Sequence, residues 1–353
     1  MPAQVPTTMR AAVYRPGHFN LAIENNFPVP EPGPGQVLLK VAACGVCHSD
    51  VLWLTNAMID DRTYIFGHEV VGYPAKIGPD VKGIREGRLY SVHAITPCVQ
   101  GTVALPLIEQ AVGLGRNGGY AEYVLVEAPQ LIPVPDGISP EVASVAADAL
   151  TTAFNAVHNI AGIRPGTNKR VLIYGVGGLG HLALQIAKSY GATVFAVDYR
   201  RVARELAVKL GAERAFSLSE ITSETSKAVP FTVDVVIDFV VNEQSFTLDK
   251  AMTRANADSF TTSPSKIVLT GASAENLPLN SSELITYKTH VLSTCYGSVD
   301  DMKSALQLLA SGAVKPVVHT VPLEAVDQAI NDLRASAIVG RRVVVPQLKQ
   351  HHS

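Results

Sequence analysis

Residues 170–183 read Arg170-Val171-Leu172-Ile173-Tyr174-Gly175-Val176-Gly177-Gly178-Leu179-Gly180-His181-Leu182-Ala183, and this stretch decides the fold. An apolar run leads into a G-x-G-x-x-G pattern, and an apolar-periodic segment follows as far as Tyr190. In that order the pattern predicts a strand, a tight turn and a helix that bind a dinucleotide, with the pyrophosphate at the helix N-terminus. The candidate cofactor-binding residues in the turn are Gly175, Gly177, Gly178, Leu179 and Gly180.

A second signal lies at the end of the next predicted strand, 193–197, which is followed by Asp198. A carboxylate about 20 residues after the glycines accepts hydrogen bonds from the adenine ribose and repels a 2'-phosphate, so NAD is favoured over NADP. Arg200 and Arg201 stand close enough in the sequence to soften that preference. The remaining alternative is a glycine-rich turn that binds no ligand.

Strands and helices alternate from residue 170 onwards. Strands are predicted at 170–174, 193–197, 233–239 and 266–270, and helices at 179–190 and 201–210. This alternation favours a doubly wound parallel sheet. Residues 9–43 are instead β-rich, and residues 118–126 are predicted to form a turn and a strand. The length of 353 residues favours two domains.

Composition excludes several classes of protein. Hydrophobic residues make up 47% of the chain and charged residues 17%, which is typical of a globular protein. The net charge of -2 gives no reason to expect a nucleic-acid or membrane partner. The sequence shows no membrane-length apolar run and no signal-peptide pattern, so a cytoplasmic location is expected.

Two short motifs place candidate metal ligands beside a glycine, in segments predicted to be loops. They are Gly45-Val46-Cys47-His48-Ser49-Asp50 and Gly67-His68-Glu69. Cysteine and histidine are the usual ligands of zinc, and a catalytic zinc site takes three protein ligands and keeps a fourth position open. Spacing alone leaves a structural role open, because most such Cys and His pairs bind no metal.

These motifs, with the nucleotide pattern after residue 150, resemble the zinc-dependent alcohol dehydrogenases of the medium-chain dehydrogenase/reductase superfamily over nearly the whole chain. The resemblance implies a GroES-like β-barrel catalytic domain at 1–150, completed by 296–353, with a Rossmann NAD-binding domain inserted at 151–295. It implies an oxidoreductase that interconverts a primary or secondary alcohol and its aldehyde or ketone by zinc-assisted hydride transfer to or from NAD. It also implies a homo-oligomer, either a dimer or a tetramer.

The resemblance assigns Cys47 and His68 as ligands of one catalytic zinc ion per chain, with Glu69 as a carboxylate close to the metal. The third ligand in the family is commonly a second cysteine, and Asp148 stands at that position here. A carboxylate is an acceptable zinc ligand, and an aspartate in an apolar stretch needs a partner. The alternative is an Asp148 that caps a helix or is simply hydrogen-bonded.

Two further positions depart from the family pattern. Relatives usually carry four closely spaced cysteines that bind a structural zinc, whereas residues 96–116 contain only Cys98, so no structural zinc is expected. Ser49 matches the residue beside the substrate oxygen that begins a proton relay. Leu52 stands where many relatives have the relay histidine, which leaves Asp50 or the cofactor ribose as the next step.

The resemblance also implies cofactor contacts outside the glycine-rich turn. These are His48 at a phosphate, Thr152 behind the nicotinamide, Gly271, Thr294 and Tyr296 around the carboxamide, and Arg341 at the pyrophosphate.

Two rival hypotheses remain. One is a zinc-free reductase of the same superfamily that acts on activated C=C or C=N bonds with NAD(P)H. Cys47 and His68 argue against it, because such relatives usually lack these ligands. The other is a non-catalytic protein that keeps NAD(P) binding as a structural feature, and the same residues together with Ser49 argue against that.

Overall fold

The computed structural model describes residues 4–55, 62–95, 111–226, 231–254, 264–271, 273 and 275–348. The strands in these ranges are β1 (Thr8–Tyr14), β2 (Leu21–Pro28), β3 (Gln36–Gly45), β4 (Tyr64–Ile65), β5 (Glu69–Ile77), β6 (Tyr90–Val92), β7 (Tyr123–Glu127), β8 (Leu131–Pro133), β9 (Arg170–Tyr174), β10 (Thr193–Val197), β11 (Arg214–Phe216), β12 (Val235–Asp238), β13 (Lys266–Leu269), β14 (His290–Ser293), β15 (Val318–Pro322) and β16 (Arg341–Val345).

The α-helices in the same ranges are α1 (His48–Thr55), α2 (Pro140–Ser144), α3 (Ala149–Phe154), α4 (Gly180–Ser189), α5 (Arg201–Lys209), α6 (Leu218–Thr225), α7 (Glu243–Thr253), α8 (Ser281–Tyr287), α9 (Val299–Ala310) and α10 (Val326–Arg334). A π-helical turn, Asn155–Ile160, continues α3. Among the described residues, no helix has both the length and the apolar character needed to span a bilayer.

The chain divides into two compact units. The first contains Met1–Ala149, Met302–Ala310 and Pro316–Ser353. The second contains Leu150–Asp301 and Ser311–Lys315.

The first unit is built on a mostly antiparallel sheet of β15-β16-β3-β5-β6-β8, with β7 also paired to β3. A smaller sheet, β2-β1-β4, completes it. The long strand β3 pairs with β5, β7 and β16, and its apolar side chains Val37, Leu39 and Val41 are fully buried. Burial of this apolar surface is the main stabilising contribution of the unit, and β3 carries the chain directly to Cys47.

The second unit is a parallel sheet in the order β11-β10-β9-β12-β13-β14. Numbered along the chain this order is 3-2-1-4-5-6, that of the doubly wound nucleotide-binding fold. The central strands are buried on both faces, as the run Val171, Leu172 and Ile173 shows. The predicted doubly wound parallel sheet is thus confirmed, and the mostly antiparallel first unit agrees with the β-barrel that was expected beside it.

The bounds of β9 and β10 coincide with the predicted strands, while β11 and β14 have no predicted counterpart. Both of these strands lie at the edges of the sheet and are partly exposed. An edge strand needs no continuous apolar run, so the hydrophobic pattern that identifies β9 is absent from them.

Candidate functional site

Four candidate ligand residues converge in the first unit. Cys47 immediately precedes α1, His68 and Glu69 lie at the start of β5, and Asp148 immediately precedes α3. Their ligand atoms all lie within 4.8 Å of one another. The expectation that both motifs lie in loops was wrong in part: α1 begins at His48, so Ser49 and Asp50 are helical.

The spacing of three of these atoms fits a tetrahedral zinc site. The Oδ2 atom of Asp148 lies 3.5 Å from the Sγ atom of Cys47 and 3.4 Å from the Nε2 atom of His68. Ligand distances of about 2.0–2.3 Å at tetrahedral angles place neighbouring donor atoms roughly 3.3–3.8 Å apart. The Asp148 carboxylate is therefore spaced from the Cys47 thiol and from the His68 imidazole as two ligands of one zinc ion are.

The electrostatics of the cluster favour a cation. Burial alone would raise the pKa of the Cys47 thiol, but the guanidinium of Arg341 and the neighbouring His68 lower it. Burial alone would lower the pKa of His68, but the carboxylates of Asp50 and Asp148 raise it well above its ordinary value. The side chains around His68 thus stabilise positive charge next to its Nε2 atom, which a divalent cation supplies as well as a proton does.

Asp50 and Tyr120 support His68 from the side away from Asp148. The Oδ1 atom of Asp50 lies 3.6 Å from the Nδ1 atom of His68, and both atoms are buried without another hydrogen-bond partner. The Oδ2 atom of Asp50 accepts hydrogen bonds from the backbone N–H of Cys47 (2.9 Å) and from the hydroxyl of Tyr120 (2.7 Å). Asp50 therefore faces the His68 ring on the side away from Asp148, as the carboxylates that orient metal-binding histidines do.

The carboxylate of Glu69 forms a buried ion pair with Arg341. The Nε atom of Arg341 donates to Oε2 of Glu69 at 3.0 Å, and the Nη2 atom donates to Oε1 of the same carboxylate. The side chain of Glu69 is fully buried and that of Arg341 is 3% exposed. The Nη2 atom also lies 3.9 Å from Oδ2 of Asp148, so the Arg341 guanidinium faces the candidate metal ligands.

Gly67 lets the histidine motif approach its neighbours. Its φ is +97°, a conformation that L side chains rarely adopt. A Cβ atom at this position would also lie 2.7 Å from the ring of Tyr120 and 2.8 Å from the Sγ atom of Cys44. A glycine is thus needed to bring His68 against the Asp50 and Tyr120 pair.

In the second unit, the carboxyl ends of the parallel strands gather the predicted cofactor residues. Gly175 follows β9, Asp198 follows β10, Gly271 comes two residues after β13, and Thr294 follows β14. Ligands of doubly wound folds bind at this edge of the sheet. The sequence-predicted residues are therefore brought together where a dinucleotide would bind.

The glycine-rich turn has the close approach that its sequence predicts. Gly180 is the first residue of α4, and a Cβ atom there would collide with the carbonyl oxygen of Gly175. Gly178 and Leu179 form the rest of the turn, and the aliphatic side chain of Leu179 does not cap the helix. The N-terminus of α4 follows directly, which suits a pyrophosphate.

Asn155 holds the segment in which two predicted carboxamide contacts lie. Its Nδ2 atom donates to the hydroxyl oxygen of Thr294 (2.7 Å) and to the carbonyl oxygen of Tyr296 (2.8 Å). Tyr296 has a φ of +58°, which a side chain tolerates only when its surroundings fix it. Asn155 lies in the π-helical turn after Thr152, and no sequence motif identified it.

For the other predicted site residues, the structure gives a position, and their roles stay predictions. His48 and Arg341 belong to the first unit, and their contacts with the cofactor phosphates stay predictions. The hydroxyl oxygen of Ser49 lies 3.6 Å from the Sγ atom of Cys47, next to the metal cluster. The segment around Cys98, on which the absence of a structural zinc rests, lies outside the described residues.

His181, in the first turn of α4, makes the stability of the second unit depend on pH. Its Nδ1–H donates to the carbonyl oxygen of Gly177 at 2.8 Å, and burial lowers its pKa to about 4 from 6.5. The neutral ring is favoured on folding, so this contribution is complete above pH 6.5 and is lost as the pH falls towards 4. We expect His181→Gln to reduce the loss of unfolding free energy between pH 7.5 and pH 5 by about 2 kcal/mol.

Urea unfolding followed by circular dichroism at the two pH values measures this difference. The comparison uses the change with pH in each protein, so a constant packing cost of the glutamine does not enter. Equal pH dependence in the two proteins would contradict the assignment.

Comparison with known proteins identifies the family to which the chain belongs. Residues 33–136 match the alcohol dehydrogenase GroES-like domain, and residues 178–311 match the zinc-binding dehydrogenase domain. Two alcohol dehydrogenases of Geobacillus stearothermophilus are similar: one is 32% identical over 97% of this chain and 100% of its own, the other 31% identical over 89% and 93%. The structure of acetophenone reductase from Geotrichum candidum NBRC 4597, in complex with NAD, aligns with a TM-score of 0.83 at 30% identity, covering 97% of this chain and 98% of that one.

The chain therefore belongs to the zinc-type alcohol dehydrogenase family of the medium-chain dehydrogenase/reductase superfamily. It is an oxidoreductase of alcohols and carbonyl compounds.

Proposed function

We propose that this protein is an NAD-dependent, zinc-dependent alcohol dehydrogenase that interconverts a primary or secondary alcohol and its aldehyde or ketone. In this proposal the catalytic domain comprises 1–150 and 296–353, and the NAD-binding domain comprises 151–295. The compact units differ from these bounds at Leu150, 296–301 and 311–315, which group with the second unit. The observation that carries the proposal is the convergence of a thiol, an imidazole and a carboxylate within 4.8 Å of one another, with the carboxylate at tetrahedral-ligand spacing from the other two.

Cys47, His68 and Asp148 hold the metal in this proposal. Bound zinc polarises the substrate oxygen as a Lewis acid and makes the alcohol proton more acidic. Glu69 and Arg341 form a neutral pair beside the ligands, which keeps the net charge of the cluster from becoming more negative. The Ser49 hydroxyl, which lies beside the Cys47 sulfur, would accept the proton that leaves the alcohol as it passes its own proton on to the cofactor ribose.

We revise the proposed role of Asp50. As a relay residue it would pass a proton from Ser49 towards solvent, but its side chain is fully buried. Its described contacts are with the backbone N–H of Cys47, the hydroxyl of Tyr120 and the ring of His68. Asp50 is therefore a positioning residue for His68, and the route of the proton beyond Ser49 does not pass through it.

The second unit binds NAD through the carboxyl edge of its sheet. When bound, NAD would supply the hydride acceptor for alcohol oxidation, and NADH the hydride donor for the reverse reaction. Gly175, Gly177 and the N-terminus of α4 would hold the pyrophosphate, and Asp198 would face the adenine ribose. Thr152, Gly271, Thr294 and Tyr296 would orient the nicotinamide, with Asn155 fixing the last two.

The experiment that tests the proposal combines metal content with turnover. Protein dialysed against a weak chelator is expected to contain about one zinc ion per chain by elemental analysis. It is expected to form NADH, followed at 340 nm, with at least one member of a panel of primary and secondary alcohols. Removal of the metal with a strong chelator abolishes turnover, and added zinc restores it.

Calorimetric titration of NADH into the metal-free protein is the matched control. None of the proposed metal ligands Cys47, His68 and Asp148 is a proposed cofactor contact, so NADH is expected to keep its affinity. Zinc close to zero with retained reduction of activated C=C or C=N bonds would contradict the proposal in favour of the zinc-free reductase. About two zinc ions per chain would contradict the expectation of a single site.

A further inference from the structure

The carboxylate of Asp198 already accepts four hydrogen bonds. Its Oδ1 atom accepts from the backbone N–H of Arg200 (2.9 Å) and from Nε of Arg200 (3.0 Å). Its Oδ2 atom accepts from Nη2 of Arg200 (3.0 Å) and from the backbone N–H of Val176 (2.9 Å). An ionised carboxylate offers about four lone-pair positions, so this one is saturated.

This saturation conflicts with the usual role of such an aspartate. A ribose diol donates its hydroxyl protons to the carboxylate, which requires acceptor positions that Arg200 now fills. The ribose of NAD must therefore displace the Arg200 guanidinium from Asp198 or bind against the guanidinium itself.

Arg200 is placed to meet whatever binds at the ribose. Its Nη2 atom lies 3.9 Å from the position of a Cβ atom added at Gly177, so the guanidinium stands beside the glycine-rich turn. The side chain is 17% exposed and so remains accessible from solvent. Arg201, the next residue, is 84% exposed and donates instead to Glu205 at 2.7 Å, so it takes no part in this contact.

The pair changes the charge that a 2'-phosphate would meet. A lone carboxylate repels a group carrying nearly two negative charges, whereas a carboxylate neutralised by a bidentate guanidinium does not. A guanidinium also binds phosphate through its planar set of N–H donors.

We propose that Arg200 determines cofactor choice and makes this site accept a dinucleotide 2'-phosphate, so that NADP(H) binds as well as NAD(H). The inference rests on the proposed function and deepens it at the adenosine end of the cofactor. Asp198 alone selects against NADP, and its ion pair with Arg200 removes that selection.

Direct binding tests the inference without depending on turnover. Calorimetric titrations of NADH and NADPH are made with the purified zinc-containing protein and with Arg200→Ala, Arg200→Gln and Arg201→Ala. The unaltered protein is expected to bind the two with affinities within about tenfold, because the charge on Asp198 is balanced. In both Arg200 variants NADPH binding weakens about 10- to 100-fold, the size of a lost charge-assisted contact, while NADH binding is retained.

Arg201→Ala is the matched control: it removes the same charge one residue away, and we expect it to leave the ratio of the two affinities unchanged. Two Arg200 variants are used so that a folding defect in one, checked by circular dichroism, leaves the other. Equal weakening of NADH and NADPH in the Arg200 variants would overturn the inference. So would an unaltered protein that binds NADH but not NADPH. A protein that binds neither would overturn the NAD-dependent function itself.

Discussion

Replacing Cys47 by alanine is expected to lower the zinc content from about one ion per chain to near zero and to abolish alcohol oxidation. Two remaining ligands, His68 and Asp148, cannot complete the three-residue set that a catalytic zinc site uses. We expect kcat/KM for the best alcohol to fall by more than the roughly 100-fold that loss of an outer-shell partner costs. Elemental analysis of dialysed protein and NADH formation at 340 nm measure the two effects.

Cys44→Ala is the matched control for this substitution. Cys44 is also buried and lies three residues earlier, at the end of β3, but its sulfur is not among the clustered ligand atoms. Its described hydrogen bond is to the carbonyl oxygen of Gly45 at 3.7 Å. We expect this variant to keep its zinc. A Cys47→Ala protein that also keeps about one zinc ion per chain would show that the three ligands are misassigned.

Replacing Arg341 by methionine is expected to destabilise the metal-free protein by about 3–5 kcal/mol. Arg341 is the partner of the fully buried carboxylate of Glu69, and its removal leaves that charge uncompensated in the interior. Asp148 is close to the same guanidinium, so its charge also loses a partner. Urea unfolding of chelator-treated protein measures the change without a contribution from bound metal.

Two further variants separate this effect from simple loss of an arginine. Arg15→Met removes an ion pair with Glu24 whose arginine side chain is 55% exposed, and such pairs contribute about 0–1 kcal/mol. The double variant Glu69→Gln, Arg341→Met removes both buried charges and is expected to recover much of the lost stability. If Arg341→Met costs no more than Arg15→Met, the pair is solvated in solution and the cluster is less buried than described here.

In the second unit, several features could be predicted from local sequence. The bounds of β9 and β10 coincide with the predicted strands because buried central strands require continuous apolar runs. The glycine-rich turn could also be predicted from sequence, because the close packing of Gly180 on Gly175 leaves no room for a side chain. Asn155 had no such signal: an asparagine in a helix is ordinary in sequence, and its role comes from a segment about 140 residues further on.

The candidate metal ligands, in contrast, could not be assigned from local sequence. Resemblance pointed to Cys47, His68 and Asp148, but spacing in the sequence did not distinguish ligands from structural residues. The sequence left Asp50 and the cofactor ribose as the two candidates for the relay step after Ser49. The structure turns the carboxylate of Asp50 towards His68 and the hydroxyl of Tyr120, which is 70 residues distant.

The sequence by itself determined the family, through motifs spread along the chain. It also determined the parallel strands and the glycine-rich turn, because each of these depends on neighbouring residues along one strand or one helix. Only the tertiary structure decided that Cys47 and Asp148, 101 residues apart, lie 3.5 Å from each other, and that Arg341 pairs with Glu69 across 272 residues. It also decided that Arg200, and not Arg201, neutralises Asp198. These contacts join residues far apart in the sequence or choose between neighbours. They form on folding because a charged or polar group that becomes buried needs a hydrogen-bonding or ionic partner.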